Sequence, residues 1–215
     1  PITSDGGISR SGSWGDYDND GDLDLFVANA PENNNFLYEN TESGFQKVTT
    51  SVVVSDNGDS QCGSWGDFDN DGDLDLFVAN ASGENNFLYE NTESGFQKLT
   101  ADVIVSDNGD SQSSSWGDYD NDGDLDLFVA NGSGESNFLY ENIGNGSFLK
   151  VTTGAIVSDG HNSQSSCWGD YDNDGLLDLF VSNNDSENFL YKNNGNGNFQ
   201  KISGSVIVVD NTDSR

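Results

Sequence analysis

One nine-residue segment recurs four times along this chain, and its carboxylates dictate what the surrounding sequence must do. The copies are Asp16–Asp24 (DYDNDGDLD), Asp67–Asp75 (DFDNDGDLD), Asp118–Asp126 (DYDNDGDLD) and Asp170–Asp178 (DYDNDGLLD). Each places Asp at loop positions 1, 3, 5 and 9 and Gly at position 6. In a tight turn alternate side chains point inward, so Asp16, Asp18 and Asp20 converge, and Gly21 lets the chain bend sharply. The carbonyl of residue 22 then faces the same point and Asp24 closes the shell. An all-oxygen set of hard ligands suits Ca2+ better than a softer metal.

The ligand expectation is therefore Asp16, Asp18, Asp20, Asp22 and Asp24 in the first loop, and Asp67, Asp69, Asp71, Asp73 and Asp75 in the second. In the third it is Asp118, Asp120, Asp122, Asp124 and Asp126, and in the fourth Asp170, Asp172, Asp174, Leu176 and Asp178. Position 7 is Asp in three loops and Leu176 in the last, which a backbone carbonyl contribution explains. The side chains of Asp22, Asp73 and Asp124 are accordingly placed outside the inner shell. A solvated acidic turn without metal is the plain alternative. It must bear about 1 to 4 kcal/mol of repulsion per close carboxylate pair, four times over. The loop is not an EF-hand, which needs a bidentate Glu at position 12 and flanking helices. Position 12 is Val27, Val78, Val129 and Val181, inside β-forming LDLFVAN-type segments.

The repeats run the whole length. Trp14, Trp65, Trp116 and Trp168 are spaced 51, 51 and 52 residues apart, a period of propeller blades or solenoid units. SGSWGDY reads as a first strand entering the acidic loop, LDLFVAN as a second, Phe36–Tyr38 as a third and FQKVT as a fourth after a turn at Thr41–Gly44. SVVVSDNGDSQ leads to the next unit, with Asn57-Gly58 as a turn signal. Four short antiparallel strands per repeat make an all-β β-propeller blade, with the acidic loop between its first two strands. The consecutive apolar residues Leu25–Val27 and Phe36–Tyr38 suit a sheet covered on both faces. A β-solenoid is the main alternative architecture.

The expected organisation is one propeller domain over 1–215, with blades at approximately 11–61, 62–112, 113–164 and 165–215. The segment PITSDGGISR at 1–10 resembles VIVVDNTDSR at 206–215. That pattern reads as part of a regular array, or as a ring whose ends meet. In a small closed ring Cys62 and Cys167 could approach bonding distance; in a larger one they could not.

Charge narrows the partners. The chain has 38 acids against 7 bases, a net charge of -31, and the loops hold half of the acids. Such a surface repels nucleic acid and anionic membrane. No apolar run approaches a membrane span, and no signal peptide is visible. Low-affinity calcium loops fit an extracellular setting, where calcium is abundant. No Ser/His/Asp, Cys/His, zinc or phosphate-loop pattern is present, so no enzyme activity is expected. His161 reads as a loop residue, and the Trp residues as inter-blade packing rather than sugar platforms. Asn80, Asn131, Asn145 and Asn184 fit the N-glycosylation pattern.

WGDYDNDGDLDLFVAN, followed by NFLYENT and GFQKVT, resembles the FG-GAP/VCBS family of calcium-binding propeller repeats across essentially the whole chain. That family includes integrin α-chain propellers, fungal lectins and bacterial secreted or surface proteins. The resemblance implies four calcium sites, an extracellular or cell-surface location, and a role in cell adhesion, glycan binding or structural assembly. The expected partner is an extracellular protein or a glycan, and the chain could belong to a longer or self-assembling array. Familiar members have about seven blades; this chain has four, which leaves closure open.

Overall fold

A computed structural model of the protein describes residues 5–31, 33–144, 146–184, 186–195 and 197–204. The chain forms two compact units, Pro1–Gly109 and Asp110–Arg215. Both are all-β, with two repeats each.

In the first unit the strands are β1 (Ser9–Gly15), β2 (Asp24–Asn29), β3 (Phe36–Glu39), β4 (Gln46–Lys47), β5 (Ser60–Gly66), β6 (Asp75–Asn80), β7 (Glu84–Asn85), β8 (Phe87–Glu90), β9 (Gln97–Lys98) and β10 (Asn108–Gly109). They make two four-stranded antiparallel sheets, ordered β1-β2-β3-β4 and β5-β6-β8-β9, and a small β10-β7 pair. The second unit adds β11 (Ser111–Gly117), β12 (Asp126–Asn131), β13 (Phe138–Asn142), β14 (Phe148–Lys150), β15 (Ser163–Gly169), β16 (Asp178–Asn183), β17 (Phe189–Asn193) and β18 (Phe199–Ile202). Its sheets are ordered β11-β12-β13-β14 and β15-β16-β17-β18. Each sheet is a meander of the propeller-blade kind, and each acidic loop joins its first two strands.

Register follows the apolar pattern. Trp14 pairs with Leu25, and Leu25 with Tyr38; the same trio recurs as Trp65, Leu76 and Tyr89. Successive side chains of a strand point to opposite faces. Phe26, Ala28 and Leu37 of one sheet therefore pack with Leu76, Val78, Phe87 and Tyr89 of the next. In the second unit Phe128, Ala130 and Leu139 meet Leu179, Val181, Phe189 and Tyr191. Every residue of β6 and β12 is buried, whereas Val27 and Phe180 stay part-exposed.

Trp65 and Trp168 pack between sheets. Trp65 stacks on Tyr17 at 6.2 Å between centroids and 8° between planes, and its Nε1 donates to the Ser13 carbonyl at 3.2 Å. Trp168 repeats this on Tyr119, with its Nε1 donating to the Ser115 carbonyl at 3.1 Å. The indole lies flat on the glycine after the preceding tryptophan: a Cβ on Gly15 would meet Trp65 at 2.8 Å, and one on Gly117 would meet Trp168 at 2.7 Å. Trp14 is 55% exposed.

Several expectations change. Asn57-Gly58 is not a turn; the chain reverses earlier, in the 3-10 turn Val52–Val54 capped by the Ser51 hydroxyl. The equivalent Asn108-Gly109 is extended and pairs with Glu84–Asn85. The Asp59 and Asp110 N–H groups donate to Glu84 and Glu135, so these connections are tied to side chains rather than folded as local turns. Cys62 and Cys167, whose bonding the sequence left open, lie in different units and form no disulfide. Asn80 and Asn131 are fully buried. Asn80 donates to the Asn85 carbonyl and accepts from the Ser60 hydroxyl, while Asn131 does the same with Ser136 and Ser111. Neither is available to a glycosylating enzyme in the folded chain. Asn145, and the 206–215 segment that resembles the start of the chain, lie outside the described residues.

A lysine brace escaped sequence reading. Lys47 ion-pairs with Asp5 at 3.2 Å and sits 3.5 Å above the Phe36 ring, while Tyr38 donates to the same Asp5 carboxylate. Lys98, Asp56, Phe87 and Tyr89 repeat this arrangement, as do Lys201, Asp159, Phe189 and Tyr191. The Tyr38 hydroxyl and Lys47 hold Asp5 below the usual carboxylate range.

The tight Trp168 contact gives a stability test. Gly117→Ala should force the indole off its seat and cost about 1 to 3 kcal/mol, measured by urea unfolding. An unchanged midpoint would contradict this packing.

Candidate metal centre

Each acidic loop is built from its own backbone. Asn19, Asn70, Asn121 and Asn173 at position 4 have φ of 58 to 61°, and the position-6 glycines have φ of 89 to 99°. Asn tolerates this left-handed region better than most residues, and Gly tolerates it freely. The bend turns backbone N–H groups inward. Asp16 accepts from the N–H of Asp20 at 3.1 Å and of Gly21 at 3.0 Å. Asp18 accepts from Asp20 at 3.3 Å, and Asp20 from Asp22 at 2.9 Å. The second and third loops reproduce all four bonds.

The carboxylates gather in every loop. Oxygens of Asp16, Asp18 and Asp24 lie within 4.8 Å of one another, as do those of Asp67, Asp69 and Asp71, of Asp118, Asp120 and Asp122, and of Asp170, Asp172 and Asp178. Positions 1 and 3 are thus common to all four clusters; the third member is position 9 in the outer two and position 5 in the inner two. The remaining position-5 and position-9 carboxylates stand outside these tight groups. The Asp73 side chain turns away, accepting from Asn19 of the preceding loop at 2.7 Å. Hard oxygen donors gathered without a softer ligand are compatible with calcium, and each cluster could hold a metal ion.

Position 9 has a second task that spacing did not reveal. Asp24 is fully buried, and its two oxygens accept the N–H of Tyr17 at 3.1 Å and of Asn40 at 2.8 Å. Asp75 holds Phe68 and Asn91, Asp126 holds Tyr119 and Asn142, and Asp178 holds Tyr171 and Asn193. One carboxylate thereby ties the start of the loop to the end of the third strand. Asn91 extends the tie by donating to the Tyr17 carbonyl at 2.7 Å, as Asn193 does to Tyr119. Consecutive loops within a unit are therefore joined.

Electrostatics set the loops against themselves. Burial pushes Asp24 up to about 6, Asp75 to about 7 and Asp126 to about 8; the two N–H donors oppose this, and the neighbouring position-3 and position-5 carboxylates add to it. Burial and neighbouring acids also raise Asp18, Asp69 and Asp120.

The chain matches a family model described as an FG-GAP-like repeat at residues 16–78, 67–129, 118–181 and 170–214. No curated protein matches it. Among solved structures it is similar to a lectin from Agrocybe aegerita, described as specifically recognising non-reducing terminal N-acetylglucosamine. The match has a TM-score of 0.57 and 17% identity, and covers 90% of this chain and 51% of the lectin. The chain thus spans about half the length of that lectin, and the likeness is one of fold.

The raised aspartates define a pH test in chelator. A carboxylate whose pKa is higher folded than unfolded, where it is about 3.9, favours the folded chain in its protonated form. That contribution is complete below pH 4 and is lost as pH rises through about 6 to 8. Metal-free protein should therefore unfold at lower urea concentration at pH 8 than at pH 5. A midpoint that is level or higher at pH 8 would contradict the electrostatic picture.

Proposed function

The chain belongs to the FG-GAP-like repeat family, and from that membership we propose that it is an extracellular, calcium-loaded propeller module with a structural or adhesive role. The observation that carries the reading is the fourfold recurrence of converging carboxylates at the same edge of each sheet. A divalent cation would be held by the position 1, 3, 5 and 9 carboxylates and the position-7 carbonyl, and would supply the positive charge these loops otherwise lack. The chain's own residues do the rest. The position-9 aspartates fix the loop ends, Trp65 and Trp168 fix adjacent sheets within each unit, and the joined loops form a rigid edge for a partner protein. The reading takes residues 1–215 as one propeller domain. The family and the lectin-like fold point to a binding module rather than an enzyme. No helix among the described residues is long and apolar enough to cross a membrane.

A glycan partner is the second reading, supported by the lectin likeness and by a cleft in the first unit. That cleft, of about 240 Å3, lies between the first two acidic loops and is lined by Tyr17, Asp18, Asn19, Asp73, Asn91, Thr92 and Glu93. An aromatic ring beside several hydrogen-bonding groups is the chemistry that sugars require. A glycan array probed in calcium and in chelator separates the readings: calcium-dependent spots favour the glycan, and a blank array favours a protein partner.

Calcium should stabilise the fold. With dissociation constants of about 10 to 100 µM and calcium near 1 mM, linkage gives about 1.4 to 2.7 kcal/mol per occupied site. Adding chelator should lower the melting temperature sharply, and coincident melting curves would sink the calcium reading.

Mutations divide the ligands. Asp71→Ala should weaken the second site about 10-fold or more, since it removes a clustered carboxylate. Asp73→Leu should leave that site's affinity nearly intact and cost only the Asn19 bond. Equal losses in calorimetry would refute this assignment.

A further inference from the structure

The four loops are not equivalent, and the difference lies on the third strand. In each repeat the residue after the Leu-paired tyrosine immediately precedes the asparagine whose N–H the position-9 aspartate holds. It is Glu39, Glu90 and Glu141 in the first three repeats, and Lys192 in the fourth. Glu39 adds its negative charge to Tyr17 of the first loop, and Glu141 adds its own to Asp120 of the third. Lys192 does the opposite. Its ammonium bonds the Asp172 carboxylate and lies 3.0 Å from Asp174.

The loop has adjusted to this ammonium. In the first three loops the position-3 carboxylate accepts the position-5 N–H, at 3.2 to 3.3 Å. In the fourth the Asp174 N–H keeps its bond to Asp170, at 3.0 Å, as in the other loops, while Asp172 takes Lys192 in place of that N–H. Leu176 at position 7 removes a further negative charge beside the same loop. The bases on the fourth strands sit over phenylalanine rings or pair with acids outside the loops. Lys192 is thus a fixed cation placed against two of the expected calcium ligands.

We propose that the fourth loop is an attenuated divalent-cation site, in which the Lys192 ammonium takes up the charge of Asp172 and Asp174 that the other loops leave for the metal. The inference rests on the calcium reading above. The chain then binds three ions in one affinity class and a fourth about 10- to 100-fold more weakly, because an entering cation must displace the ammonium and meet its repulsion. The fourth loop keeps its shape when calcium is scarce, with the lysine bridging its carboxylates.

Calorimetric titration of the metal-stripped full chain with calcium chloride tests this, with circular dichroism verifying that each variant is folded. The wild type should show three tight sites and one weak site. Lys192→Glu should bring the fourth into the tight class, Lys192→Gln should give an intermediate affinity, and the reciprocal Glu141→Lys should leave only two tight sites. In chelator, amide exchange across residues 170–178 should quicken in Lys192→Glu, a readout that needs no metal. Four equal sites in the wild type, or a three-plus-one pattern unmoved by Lys192→Glu, would overturn the inference and leave the calcium reading standing. Absence of any calcium binding would overturn that reading and the inference with it.

Discussion

The structure depends on a buried carboxylate at the ninth position of each loop. Asp24, Asp75, Asp126 and Asp178 are withdrawn from solvent, and each spends both oxygens on backbone N–H groups. Those bonds close the acidic loop against the third strand of its own sheet. They also bring negative charge to a place already crowded with it. Burial and neighbouring aspartates lift Asp24, Asp75 and Asp126 far above an ordinary aspartate. The fold thus contains a local conflict that a proton, an ammonium or a divalent cation relieves. Conflicts of this kind mark functional sites, where local strain is tolerated for the sake of what it binds.

Much of the fold was legible because two periods coincide. The acidic spacing fixed the loop and its two flanking strands, and the tryptophan period fixed the repeat. The trio Trp, Leu and Tyr on successive strands lies in register in each sheet. The converging carboxylates were legible for the same reason, since alternation within a tight turn needs no long-range information.

What stayed hidden depended on partners distant in sequence. Nothing in SVVVSDNGDSQ says that Asp59 will find Glu84, so Asn57-Gly58 passed for a turn. Asn80 and Asn131 look like surface acceptors, yet they satisfy backbone groups inside the corner after the second strand. The lysine brace joins residues up to 42 positions apart, as Lys47 and Asp5 are. Lys192 stands where the other repeats carry Glu, and only the structure places its ammonium on Asp172 and Asp174.

Near-identical tandem repeats face a hazard of their own, because a strand of one copy can pair with its counterpart in another and trap the chain during folding. The ninth-position aspartate works against that exchange. Its two partners lie only 7 and 16 residues away, for Tyr17 and Asn40 as for Phe68 and Asn91. Short closures of this kind form early, since little chain entropy is lost in making them. Short separation therefore favours pairing within a repeat over pairing with a neighbouring copy, which counters the ambiguity that sequence redundancy brings.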